Sequence, residues 1–248
     1  MFYEVIPGKV FGKGSGILTY EYNDSLLPGQ IVQVPLGRGT AVGVVCKKVV
    51  QPKFATKQIL KVLYSRPLPT HLVATAQFVA EYYQASLAST LGLILPNGVE
   101  KKRRAAKKPE QMFGSDANTE QSAKIPQIQL NTAQKNALQG LQKAVGATKL
   151  LHGVTGSGKT NIYLTLAKKA LSAQKSTILL VPEIALTSQL VRVFAEYFGN
   201  RVVVLHSGQT EAERHLIFNS LLESDGARIV IGPRSALFAP LHNLGLII

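Results

Sequence analysis

An α/β fold in two parts is what this sequence predicts: a small β-rich domain, then a lobe built on a parallel sheet. Three observations carry the prediction. Short runs of Val, Ile, Leu and Tyr, punctuated by Gly and Pro, fill residues 1–64. After residue 130, apolar runs alternate with helical patterns, the signature of βαβ units. Between the two lies a basic, polar stretch. A chain of 248 residues has room for about two domains. With 46% hydrophobic and 17% charged residues it can bury a core, which excludes a fully disordered chain. A single cysteine, Cys46, excludes an internal disulfide and a cysteine-built zinc site, and is expected to be a small core residue. The first residues lack a signal-peptide pattern, and no apolar run reaches the roughly 18 residues of a membrane span, so a cytoplasmic chain is expected.

In chain order, the predicted strands are Val5-Ile6, Gly16–Tyr22, Gln30–Pro35, Thr40–Val50 and Gln58–Tyr64, with turns at Pro28-Gly29 and Gly37-Arg38-Gly39. Leu72, Val73, Ala76, Val79, Ala80, Tyr83 and Leu87 then recur at helical spacing, which predicts one helix from Thr70, as N-cap, to about Ser89. It is expected to cover an open face of the β domain, which spans residues 1–95. Residues 96–127 form a linker, with Lys101-Lys102-Arg103-Arg104 and Lys107-Lys108 ahead of a polar stretch. This basic cluster suits a phosphate backbone or a solvated tether. The lobe, residues 128–248, opens with a helix over Thr132–Val145. Strands at Lys149–His152, Ser176–Pro182, Arg201–His206, Ala227–Ile231 and Leu244–Ile248 alternate with helices to about Ala173, over Ile184–Phe198 and over Thr210–Leu222. Their nearly continuous apolar character requires cover on both faces of the sheet.

Charge gives the first functional direction. Lys and Arg number 28 against 14 Asp and Glu, a net of +14, which favours an anionic partner, nucleic acid above all, over charge kept for solubility alone. Residues 1–130 carry 16 basic and 8 acidic side chains and residues 131–248 carry 12 and 6, so both halves are basic.

Gly153-Val154-Thr155-Gly156-Ser157-Gly158-Lys159-Thr160 fits G-x(4)-G-K-T between an apolar run and a helix. That context makes it a phosphate-binding loop. The glycines let backbone N–H groups turn toward phosphate oxygens, and the following helix adds the positive end of its dipole. Lys159 is expected to reach the β- and γ-phosphates of ATP, and Thr160 to hold Mg²⁺, so these two residues carry the catalytic assignment. Hydrolysis also needs acids at the end of a neighbouring strand. Glu183 stands alone beside Pro182, while Glu211, Glu213, Glu223 and Asp225 fall on helix or loop.

The Leu151–Thr160 motif, followed by Val181-Pro182-Glu183-Ile184-Ala185-Leu186-Thr187, resembles the family of the bacterial primosomal protein N′, replication-restart helicases of superfamily 2. Leu205-His206-Ser207, Ile229-Val230-Ile231-Gly232-Pro233-Arg234-Ser235-Ala236-Leu237-Phe238 and Leu244-Gly245-Leu246-Ile247-Ile248 are similar to its later motifs. Pro28-Gly29, Val32-Gln33-Val34-Pro35-Leu36-Gly37 and Gly43-Val44-Val45 resemble its small domain that binds the 3′ end of DNA. The resemblance implies a 3′-end-binding domain followed by part of a RecA-like helicase lobe, and an ATP-dependent 3′ to 5′ DNA helicase of replication restart. By the same resemblance Gln134 contacts adenine, Glu183, Thr187 and Gln189 lie in the first DNA-tracking motif, and Arg234 and Ser235 in the second. Tyr20 would stack on a base and Lys57 meet phosphate. From the residues alone, Tyr20 also reads as a strand-face core residue, Glu183 as a helix-start acid and Arg234 as a surface cation.

Where the family has Phe-Asp-Tyr this sequence has Leu18-Thr19-Tyr20, so a hydroxyl replaces the acid that would meet a 3′-hydroxyl. In the family the final strand runs into an Asp-Glu-Glu-His box, followed by a second lobe with an arginine finger and zinc-binding cysteines. These 248 residues are therefore expected to bind DNA and Mg-ATP but to hydrolyse poorly, with zinc belonging only to the family's later part. Forked or single-stranded DNA, primosome proteins and single-strand-binding protein are the implied partners, with no membrane and a nucleoid-associated place in the cytoplasm. Another superfamily 2 translocase and a non-catalytic DNA-binding adaptor remain the alternatives.

Overall fold

A computed structural model of the chain describes residues 1–8, 16–100, 128–143, 146–182 and 189–248. Most of the linker, together with Glu183 and Thr187, lies outside the described residues. The chain divides into two compact units, each taken by itself below. The first is Met1–Lys107 with Gly208–Asp225 and Leu237–His242; the second is Lys108–Ser207 with Gly226–Ala236 and Asn243–Ile248.

The first unit is built on six strands: β1 (Phe2–Pro7), β2 (Leu18–Glu21), β3 (Ile31–Leu36), β4 (Gly39–Val49), β5 (Lys57–Gln58) and β6 (Lys61–Val62). Their spatial order is β5-β2-β1-β4-β3-β6. The two end strands follow each other in the chain. Ile59 N donates to Glu21 O and Leu60 N to Gln33 O, both at 2.9 Å, so the sheet closes into a small barrel and hides its edges. Alternation along the strands sorts side chains to two cores. Val5, Val32 and Val45 point inward with Tyr3, Tyr20 and Val34, while Ile6, Ile31 and Val44 face outward to a second cluster with Leu72 and Leu91. Between Glu4 and Val5 the register slips: Glu4 faces Lys47 and Val5 faces Val45, leaving Cys46 as the extra residue of a bulge. Its thiol is half-buried against the outer cluster, and burial, with Glu4 second, pushes its pKa up to about 11.

Two helices, not one, cover the barrel: α1 (Thr70–Tyr82) and α2 (Leu87–Ile94). The single predicted helix breaks because Gln84 takes a left-handed φ of 52° and Ser86 starts a new helix, its hydroxyl accepting from Ser89 N at 3.1 Å. Thr70 is inside the first turn of α1; Pro69, with φ −54°, takes the N-cap place. The unit is completed by a later helix, α6 (Glu211–Leu222), capped by a reciprocal pair in which Thr210 and Glu213 each accept from the other's backbone N–H. Its Phe218 and Leu222 belong to the same buried cluster as Ile6, Ile31 and Leu72. Tyr64 Oη lies 3.0 Å from His215 Nε2, and Ser65 Oγ donates to Glu223 Oε2 at 2.6 Å. Burial, with Glu223 second, raises the Tyr64 phenol to about 12. These contacts explain why residues 208–225, read from sequence as part of the later lobe, gather with the N-terminal residues.

The second unit carries α3 (Thr132–Gln142), α4 (Lys159–Ser172), β7 (Ser176–Leu180), α5 (Gln189–Phe198), β8 (Val202–Val204), β9 (Ile229–Gly232) and β10 (Leu244–Ile247). All the strand pairs are parallel, in the order β10-β7-β9-β8. The β9 strand is buried along its whole length and β7 nearly so, whereas β10 alternates half-buried with exposed. Leu164, Ala167 and Leu171 of α4 and Phe194 of α5 pack with Leu179, Ile229 and Ile231 of the sheet. Lys149–His152, predicted as a strand, joins neither sheet. Leu150 is 88% exposed, and Lys149 Nζ instead donates to the carbonyls of Gly140 and Leu141 near the end of α3, where a helix leaves acceptors unpaired.

Candidate nucleotide and DNA site

The P-loop is built from its backbone outward. Gly156 and Gly158 take φ values of 81° and 78°, a region nearly closed to other residues. Gly158 is also the N-cap of α4 and brings no side chain to cap it, so the first-turn N–H groups of that helix stay free of a side-chain cap. An unshielded helix start preceded by two left-handed glycines suits an anion. At Gly153, a Cβ would lie 2.8 Å from Ser157 Oγ, so a larger residue there would have to turn the serine hydroxyl aside. Ser157 N donates to Val154 O at 3.2 Å and fixes the turn. Lys159 Nζ folds over the loop, donating to Gly153 O at 2.7 Å and Val154 O at 2.9 Å. The ammonium is therefore held beside the cradle, ready to exchange carbonyls for phosphate oxygens. Thr160, half-buried in the first turn of α4, places a hydroxyl at the same helix end, while Thr155 is exposed on the turn. The glycine geometry, the helix start and the lysine fit a nucleotide phosphate, and Thr160 fits Mg²⁺, a hard cation that takes oxygen ligands.

Gln134 joins this site through both ends of its amide. Asn131 N donates to Gln134 Oε1 at 3.0 Å and Gln134 N donates to Asn131 Oδ1 at 2.9 Å, a capping box at the start of α3. Gln134 Nε2 then donates to Ser157 O at 3.0 Å. The spacing Asn131-x-x-Gln134 signals this cap in the sequence, and the role of Asn131 went unread there.

Two further predicted positions lie in segments that follow β7 and β9 in the chain, and ligands of parallel sheets gather at the carboxyl ends of the strands. The helix α5 opens with Gln189, which is exposed; Arg234 and Ser235, both exposed, begin a 3₁₀ turn after β9. Gly232 packs this edge tightly: a Cβ there would lie 3.0 Å from both Leu205 Cβ and Ala236 Cβ. Val181 N donates to Gly232 O at 2.9 Å and Leu205 N to Ile231 O at 2.8 Å, which stitches the edge together.

In the first unit the predicted DNA residues separate. Tyr20, expected to stack on a base, is instead a core residue. Its ring is 2% exposed, its hydroxyl donates to Pro35 O at 3.0 Å, and burial raises its pKa. A ring that fills the barrel interior cannot also present a face to a base. Lys57, its register partner across β2 and β5, is exposed, and its Nζ donates to Gly37 O at 3.3 Å. Among the described residues no group of three or more His, Cys, Asp or Glu is placed to hold a metal ion. None of the described helices is long and apolar enough to cross a membrane.

Comparison with known proteins agrees with this geometry. The 3′ DNA-binding domain family matches residues 10–96, and the DEAD/DEAH box helicase family matches residues 119–248. The chain is similar to the replication restart protein PriA of Helicobacter pylori, 36% identical over 231 residues, 93% of this chain and 34% of that protein. It is also similar to PriA of Rickettsia felis, 32% identical over 222 residues (89% and 32%), and of Bacillus subtilis, 38% identical over 143 residues (56% and 18%). The aligned part of the chain thus spans 18–34% of the length of these relatives. Carrying a 3′ DNA-binding domain ahead of its P-loop lobe as PriA proteins do, the chain belongs to the DEAD/DEAH box helicase family and is a PriA relative.

Proposed function

We propose that the chain supplies the nucleotide site and a DNA-binding domain of an ATP-dependent helicase of replication restart, which unwinds DNA 3′ to 5′. The observation that carries this reading is the P-loop, with left-handed Gly156 and Gly158 ahead of α4 and Lys159 Nζ on the carbonyls of Gly153 and Val154. Gly153, Thr155, Gly156, Ser157 and Gly158 present backbone groups to the phosphates of ATP. Lys159 neutralises charge on the β- and γ-phosphates and Thr160 holds Mg²⁺. Bound Mg²⁺ supplies charge neutralisation across those phosphates. Gln134 exchanges its bond to Ser157 for one to adenine, which couples nucleotide binding to the position of α3. Gln189, Arg234 and Ser235 track the DNA backbone from the carboxyl edge of the sheet, together with Glu183 and Thr187. Lys57 meets phosphate on the first unit, and Thr19 offers a hydroxyl near the strand end. Forked or single-stranded DNA is the substrate; primosome proteins and single-strand-binding protein are the partners, in the cytoplasm at the nucleoid.

The strand ends of this lobe read Val181-Pro182, Leu205-His206, Gly232-Pro233 and Ile247-Ile248, without an Asp or Glu among those pairs. Positioning by the loop alone leaves water unactivated, so these 248 residues by themselves bind ATP and hydrolyse it poorly. The test is equilibrium binding of a fluorescent ATP analogue with Mg²⁺, alongside single-strand DNA binding. Lys159→Ala should abolish nucleotide binding and leave DNA binding in place. Unchanged nucleotide binding in Lys159→Ala would refute the P-loop reading, and nucleotide-independent DNA binding in both proteins would favour the adaptor.

A further inference from the structure

The segment that crosses from β4 to β5 carries an aromatic ring that the site above leaves unused. Phe54 is 63% exposed and contacts no other ring among the described residues. Its phenyl ring has no polar handle, and none of the buried clusters includes it. Cations flank it in the sequence. Lys53 precedes it and Lys57 follows three residues later, both exposed. The Lys57 ammonium rests on Gly37 O at 3.3 Å, which brings it to the β3–β4 turn beside exposed Arg38.

The charge of this stretch of chain is one-sided, with Glu21 as the acid nearest to it in the sheet register, opposite Gln58. Between Asp24 and Glu81 the sequence contains no acidic residue. The two ion pairs among the described residues use Lys47 with Glu4, and Arg66 with Asp225. Lys53, Lys57 and Arg38 are in neither. Unpaired Lys53 and Lys57, one and three residues from the ring in sequence, favour a partner that offers negative charge beside an apolar face. A protein partner suits an exposed ring but seldom alternates flat apolar faces with regularly spaced anions. Single-stranded DNA does so at every nucleotide.

We propose that Phe54 is a stacking platform for one base of a DNA single strand, whose neighbouring phosphates are met by Lys53 and Lys57. This inference deepens the DNA-binding reading of the first unit and rests on it. It also supplies the aromatic contact that Tyr20, buried in the barrel, cannot make.

The test uses the full 248-residue chain and a single-stranded oligonucleotide with a free 3′ end. The base analogue 2-aminopurine, quenched when stacked, is placed at successive positions from that end. Wild type should quench one position more than its neighbours. Phe54→Ala should bind roughly tenfold more weakly and lose that quench. Phe54→Trp should restore both, and Phe54→Leu should restore neither, because an aliphatic side chain offers no π-face. Loss of affinity in Phe54→Ala should be equal at 50 and 200 mM salt, whereas Lys53→Ala should lower the salt slope by about one. The inference is overturned if Phe54→Ala binds as wild type, if Phe54→Leu replaces Phe fully, or if no position is selectively quenched. A wild-type chain that binds no single strand at 50 mM salt overturns the DNA-binding reading together with it; binding that ignores Phe54 overturns the inference alone.

Discussion

Substituting Gly158 by alanine tests how the P-loop and Gln134 depend on each other. Gly158 sits at φ 78°, where an L side chain costs roughly 1–2 kcal/mol. Its new Cβ would also overlap Gln134 Nε2, the far end of a flexible side chain. Gln134 can swing aside, but only by giving up its 3.0 Å bond to Ser157 O, a net loss of roughly 0.5–1.5 kcal/mol. Gly158→Ala should therefore lower stability by roughly 2–3 kcal/mol. Gln134→Ala loses the same bond and half of the capping box, roughly 1–2 kcal/mol. In the double variant the shared bond is lost once, and no amide stands in the way of the Cβ. Its destabilisation should fall short of the summed single effects by roughly 1 kcal/mol. The assay is urea denaturation followed by circular dichroism, with the four proteins compared at a common slope. Additivity within about 0.3 kcal/mol would show that Gln134 and the loop act separately and would refute the coupled geometry.

Three other outcomes follow from buried polar groups. Tyr20→Phe removes the bond to Pro35 O and should cost roughly 1 kcal/mol in urea denaturation. With a thiol pKa of about 11, against 9.0 for an unperturbed one, Cys46 should react with iodoacetamide at pH 8 about a hundredfold more slowly than the denatured chain, and equal rates would contradict its placement. The raised value also means that its contribution to stability is complete below the unfolded thiol pKa and is lost as pH rises toward 11. His71 behaves in the opposite sense: burial, then His242, lowers its pKa, and its Nε2 is buried without a partner among the described residues. Its contribution is present above about pH 6.5 and lost as pH falls through the lowered folded value, so the loss of stability on acidification should be smaller in His71→Gln than in wild type.

Local rules in the sequence reach as far as local interactions do. The barrel strands are legible because Val5-Ile6, Ile31-Val32 and Val44-Val45 alternate between two cores. The P-loop is legible because its glycines and lysine act within eight residues of chain. Two other features were open to the same reasoning and escaped it: the Asn131–Gln134 capping box, and the Ser86–Ser89 cap that splits the helix after Tyr82. Non-local outcomes were not legible. Closure of the barrel depends on Ile59 and Leu60 bridging to Glu21 and Gln33, which no period in the sequence announces. The destination of α6 depends on Phe218 and Leu222 finding Ile6 and Leu72, more than a hundred residues away in the chain. Lys149–His152 has strand composition, yet its lysine is drawn to the end of α3.

Tyr20 and Phe54 show why residue type alone does not assign a DNA contact. Tyr20 lies in a strand whose alternation turns its ring into the barrel, so its size and its hydroxyl are both used there. Phe54 lies in a loop, where no alternation applies and no core claims it. The two rings should therefore separate two measurable quantities. Tyr20→Phe should change stability and leave single-strand affinity unaltered. Phe54→Ala should change affinity and leave the unfolding free energy from urea denaturation within about 0.5 kcal/mol of wild type, as expected for an exposed site. If Tyr20→Phe weakened DNA binding at unchanged stability, its hydroxyl would have to exchange Pro35 O for a DNA acceptor, and the barrel core formed by Tyr3, Val34 and Tyr20 would not be the DNA-bound state.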